Sequence, residues 1–129
     1  MEDARSLIGV WKLVEARAFD EAGSELPSPL GPQPMGVAIF NAGRSMAMAC
    51  NGSEMLSPAA KRAFAAYCGA YTFDGMKLVT HVDGASGPDM LEDQVRQIRF
   101  DTPTRMTVIP VSRLFDRRAG LELVWERVG

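Results

Sequence analysis

One histidine and two cysteines in 129 residues leave little material for metal or thiol chemistry. Cys50 and Cys68 lack a metal-ligand spacing, and no Ser-His-Asp spacing, Cys-His pair or Gly-rich phosphate loop occurs. The sequence therefore predicts no metal and no cofactor. Neither charge sign dominates: 14 basic and 16 acidic residues give a net charge of −2, which argues against nucleic acid as a partner. The apolar runs fall far short of the roughly 20 residues a spanning helix needs, so no membrane is expected. The start, Met1 to Arg5, is acidic and followed by no apolar stretch, which predicts no secretory signal and a cytoplasmic protein. In that setting the two cysteines read as reduced thiols; a bond between them requires their strands to be neighbours.

What the chain has is hydrophobic residues, 47% of it, enough for the core of one domain over residues 1–129. Most of them alternate. The pattern predicts strands over Gly9–Phe19, Met35–Asn41, Ser45–Asn51, Cys68–Phe73, Met76–Asp83, Asp93–Asp101, Arg105–Val111 and Leu121–Val128. Turns fall at Ala42-Gly43 and Asp74-Gly75. Four prolines and two glycines make 21–34 a long connection. Ser57 as N-cap, Pro58 at the first helical position and the Ala-rich run to Tyr67 predict one inserted helix. A helical turn over Asp3–Ile8 is also expected. Eight short strands with one helix point to a closed barrel or a sandwich.

Hairpin pairing assigns the faces. A two-residue first turn sets Ile39 against Met46, Val37 against Met48 and Met35 against Cys50, an apolar face expected to point inward. Gly36, Ala38, Ala47 and Ala49 would then face out. The second hairpin, with a two-residue turn, sets Phe73 against Met76, Tyr71 against Leu78 and Gly69 against Thr80. Ile98 shares a face with Gln94 and Arg96, Trp125 with Leu123, and Val108 with Met106. The predicted interior is a cavity for one small apolar or amphipathic molecule, lined by Val37, Ile39, Met46, Met48, Tyr71, Leu78, Thr80, Gln94, Arg96, Ile98, Val108 and Trp125.

Four side chains are candidates for chemistry: Tyr71, Arg96, Glu15 and His81. An inward Arg96 needs either a carboxylate such as Glu15 or the polar end of a ligand. Glu15 points inward, or outward beyond a bulge in the long first strand. His81 falls on the outer Lys77 face, unless a three-residue turn brings it inside. The residues leave two functions open: a binding protein, or a cofactor-free isomerase, cyclase or dehydratase acting on a hydrophobic secondary metabolite. A third reading, a ketosteroid-isomerase-like cone, would need N-terminal helices that the pattern lacks. A homo-oligomer is compatible with all of these.

Gly9-Val10-Trp11 at the head of the first strand and Leu123-Val124-Trp125-Glu126-Arg127 in the last resemble the lipocalin-like domain family. So do Met35-Gly36-Val37-Ala38-Ile39-Phe40, Gly69-Ala70-Tyr71-Thr72-Phe73-Asp74-Gly75 and Asp93-Gln94-Val95-Arg96. The resemblance implies an antiparallel eight-stranded lipocalin-like β-barrel, with Trp11 at its closed base and Arg127 lying across it in a cation–π contact. The chain departs from the family at Thr80-His81, where two adjacent histidines are common. It departs again at Gly84–Asp89, where a tryptophan is common.

Overall fold

The computed structural model describes residues 7–20, 22–28, 30–52, 64–110 and 120–129. Nine antiparallel strands carry these residues: β1 (Gly9–Phe19), β2 (Glu25–Leu26), β3 (Met35–Phe40), β4 (Arg44–Cys50), β5 (Phe64–Phe73), β6 (Lys77–Ala85), β7 (Gln94–Thr102), β8 (Arg105–Pro110) and β9 (Gly120–Arg127). Each strand pairs with the next from β3 onward, and β1 pairs with both β3 and β9. The sheet thus closes as an eight-stranded barrel, with β2 as an extra strand on the far end of β1. Closure removes the sheet edges that an open layer would expose.

The only helical structure among the described residues is a single 3-10 turn at Pro88–Met90. The expected inserted helix is corrected in part: Phe64–Tyr67 belong to β5 and pair with Ala47–Cys50. Its remainder, 57–63, lies outside the described residues, as does 3–6 of the expected N-terminal turn. Ala-rich sequence favours a helix locally, but an adjacent strand supplies a full ladder of hydrogen bonds and overrides a weak preference.

The first hairpin has the expected register, Ile39 opposite Met46 and Val37 opposite Met48, yet the opposite face. Val37, Ile39 and Met46 are 40%, 43% and 51% exposed, while Ala38, Phe40, Ser45 and Ala49 are buried. The cause is β1. Trp11 opposes Ala38, and Leu13 packs so closely on Gly36 that a Cβ there would stand 2.9 Å from its own Cβ. Large side chains on one strand of a narrow barrel require small ones on the next.

The second hairpin sits two residues out of the expected register: Phe73 opposes Leu78 and Tyr71 opposes Thr80. The Asp74 carboxylate accepts from the N–H groups of Met76 at 2.9 Å and Lys77 at 2.6 Å, so the turn is longer than Asp74-Gly75. A slip of two preserves every face. These bonds hold the Asp74 carboxyl below its usual range, Lys77 contributing most. The Thr107 hydroxyl, and then Arg99, do the same for Asp101. Carboxyls depressed on folding stabilise above their unfolded value of about 4, and lose that effect as pH falls through the folded value. Asp74→Ala should therefore lower the Tm at pH 7 and lower it less at pH 3. A gap that stays constant would show that the turn carboxylate contributes nothing.

Tight hairpins and both chain ends of the sheet gather at one end of the barrel, the base. Trp11 is fully buried there and donates its indole N–H to the Leu7 carbonyl at 2.9 Å. The Arg127 guanidinium lies 4.3 Å from the Trp11 ring and donates to the Ile8 carbonyl. Phe100 stands 6.4 Å from Trp11 and 6.2 Å from Phe73, and Phe40 meets Tyr71 edge-on at 5.4 Å. Gly9, at φ +137°, leaves no room for a Cβ between Arg127 and the Gly129 carbonyl. The long connections, 20–34, 51–63, 86–93 and 111–119, join strands at the other end, the mouth.

Candidate functional site

Inside the barrel, toward the mouth, lies a cavity of about 60 Å³. Its wall is mostly apolar: Ala38 and Phe40 from β3, Ala47 and Ala49 from β4, Ala65 and Tyr67 from β5, Leu78 from β6, Met106 and Val108 from β8, and Leu123 and Trp125 from β9. The alanines create the space, since a larger side chain on any of these rows would occupy it. A drug-sized ligand fills roughly 300–1,000 Å³, and an engineered apolar cavity of roughly 150 Å³ holds benzene. The space as it stands therefore matches a few small groups and not a large metabolite.

Among the described residues, Arg96 is the one charged residue on this wall, and it is 3% exposed. Its position is built. Gln94 donates its amide to the carbonyls of Met90 at 3.3 Å and Glu92 at 3.1 Å, which turns its oxygen toward Arg96. Arg96 donates to that oxygen at 3.1 Å and to the Val95 carbonyl at 3.0 Å, and lies 5.6 Å over the Tyr67 ring.

Of the expected lining residues, Met48, Leu78, Arg96, Val108 and Trp125 border the cavity. Thr80, Gln94 and Ile98 are buried inside the barrel without bordering it. Val37, Ile39 and Met46 are corrected to the outer surface with their hairpin face. Tyr71 belongs to the base: its hydroxyl donates to the Asn41 carbonyl at 2.6 Å, and burial raises its pKa, so it is a protonated structural donor.

Glu15 takes the second of its two expected positions, outward beyond a bulge, and so leaves the set of candidates for chemistry. Val14 is an extra residue in β1, so Leu13 opposes Trp125 while Glu15 opposes Val124. The bulge turns Glu15 and Arg17 outward, where they form an ion pair at 3.5 Å. His81 is exposed on the outer face, 3.1 Å from Asp93. Of the four candidates for chemistry, Arg96 alone reaches the cavity. Cys50 and Cys68 are free thiols. Their strands are neighbours, but Cys50 opposes Phe64 and Cys68 opposes Met46, four residues or about 13 Å apart along the ladder.

Tyr67, Ala38, Ala47 and Ala49 were hidden from sequence reasoning by the helix-like run and the inverted face. The pairing of Trp11 with a row of small residues is the signal that would have found the alanines.

No protein-family model matches the chain, and no curated protein sequence does. Among solved structures, a redesigned beta barrel matches at a TM-score of 0.50 and 14% identity, over 98% of this chain and 95% of that one. That likeness shows the barrel fold alone. Among the described residues no group of three His, Cys, Asp or Glu is placed to hold a metal ion, and no helix is long and apolar enough to cross a membrane.

Proposed function

We propose that this chain is a lipocalin-like binding protein that takes a small, largely apolar molecule into its interior. The observation that carries the reading is the alanine-walled cavity inside the barrel, with packed aromatics beneath it. Family membership is supported by Gly9-Val10-Trp11 at the start of β1 and by Arg127 over Trp11. Binding is favoured over turnover because Tyr71, Glu15 and His81 stand away from the cavity. A ligand larger than the present space requires Tyr67, half-buried on the wall, to swing aside.

Xenon and 1-butanol test the reading, because dry apolar cavities take up such probes. Both should shift the methyl NMR signals of Ala38, Ala47 and Ala65. Ala47→Leu adds three carbons to the wall and should abolish those shifts while leaving the Tm unchanged or raised, since filling a cavity commonly stabilises by about 0.5–2 kcal/mol. Unperturbed methyls in the wild type would end the proposal.

A further inference from the structure

We propose that the outer face of β3, β4 and β5 is a self-association surface, and that its partner is a second copy of this chain related by a two-fold axis lying along β4. The inference stands apart from what the cavity holds.

The two flanks of the barrel differ. Around β7, β8, β9 and β1 the outer side chains pair as ions: Arg99 with Asp101 at 3.0 Å, Arg105 with Glu126 at 2.6 Å and Arg17 with Glu122 at 3.7 Å. On the opposite flank, Met35, Val37 and Ile39 of β3, Met46 of β4 and Phe64 of β5 stand 38–51% exposed. Large apolar side chains gathered on one flank mark a contact site, where scattered ones would not.

That flank is also self-complementary. Its bulk lies on β3. On the other side of Met46, β5 and β6 leave a groove of about 210 Å³ floored by Ala66, Cys68, Gly84 and Ala85. Glycine keeps the groove open, since a Cβ on Gly84 would stand 3.0 Å from the Cys68 sulfur. The ladder registers put Ile39, Met46 and Cys68 in one row, Val37 and Ala66 in the next, and Met35 and Phe64 in a third. An axis along β4 reverses each row. It sets Ile39 over the groove at Cys68, Val37 over Ala66, and the Met35 sulfur against the Phe64 ring, each contact made twice. Large side chains then meet small ones on both sides of Met46, as closely packed sheet faces require.

Charge does not oppose the contact. Lys12 extends the Val37 row at one rim and falls opposite Ser86, not opposite its own copy. Arg44, at the end of β4, is held by Asp83 at 2.8 Å within its own chain. A charged partner would find little to pair with here, whereas a second copy supplies both the ridge and the groove. Four strands about 4.8 Å apart, over about five residues of about 3.3 Å each, give a footprint of roughly 300 Å², well below the roughly 800 Å² per partner of a standard interface. The dimer is therefore a weak one, with a Kd on the order of 100 µM.

Analytical ultracentrifugation of the wild-type chain from about 5 µM to about 1 mM should show monomer passing to dimer. Ile39→Asp should weaken the association at least tenfold. Ile39→Cys gives the sharper test. Within one chain, residues 39 and 68 lie two strands apart, about 9.6 Å, and a disulfide joins Cα atoms no more than about 7 Å apart. With oxidised glutathione as the oxidant, this variant should cross-link to Cys68 of a second copy and run as a dimer on a non-reducing gel, while the wild type runs as a monomer. Peptide mapping should find residue 39 joined to residue 68. A wild-type chain that stays monomeric at about 1 mM overturns the inference. So does a dimer that Ile39→Asp leaves intact, or an Ile39→Cys variant with no bond to Cys68.

Discussion

Phe40→Asp should leave the chain without a cooperative unfolding transition at 25 °C, whereas Ile39→Asp, one residue earlier, should cost no more than about 1 kcal/mol. Phe40 points into the barrel, buried against the edge of Tyr71. Truncating a buried phenylalanine costs about 3–5 kcal/mol, and dehydrating a carboxyl in its place adds several more. Together these approach the 5–15 kcal/mol that holds a typical domain folded. Ile39 looks outward at 43% exposure, where a carboxylate stays hydrated. Urea unfolding followed by far-UV circular dichroism separates the two. The reverse ranking would mean that β3 faces the other way.

Removing the base plug is the second large effect. Trp11→Ala should destabilise by about 3–5 kcal/mol through the void it leaves among Phe100, Leu7 and Arg127. Trp11→Phe keeps a ring under the guanidinium and loses the bond to the Leu7 carbonyl, so about 1–2 kcal/mol is expected. Arg127→Met should cost a similar amount, and the double variant less than the sum, because one contact is shared. Denaturant midpoints give all four corners of that cycle. A Trp11→Ala loss below 1 kcal/mol would show that the base does not hold the barrel together.

The strands were legible because alternation and turn chemistry are local. Gly9–Phe19 was placed to the residue, and the first hairpin's register followed from Ala42-Gly43. Which side of that hairpin faces in was not legible, because hydrophobicity there points the wrong way. Volume decides it: Trp11 and Leu13 occupy the space that Val37 and Ile39 would need, and glycine and alanine are what fits opposite them. Arg96 was legible by its parity with Ile98, since β7 runs without a bulge between them. Glu15 was legible only as a choice between two faces, because the extra residue at Val14 is set by the β1–β9 ladder and leaves no mark in β1 itself. Tyr67 was lost to helix propensity, which ignores the partner that β4 provides.

The barrel keeps its short turns and its aromatic seal at one pole and hands every long connection to the other. Sequence change at the two poles then has separate outcomes. Substitutions around Trp11 register as melting temperature, while on the binding reading proposed above a change at the mouth would register as which guest is admitted. On that reading, guest preference can change at the mouth with the opposite pole left as it is.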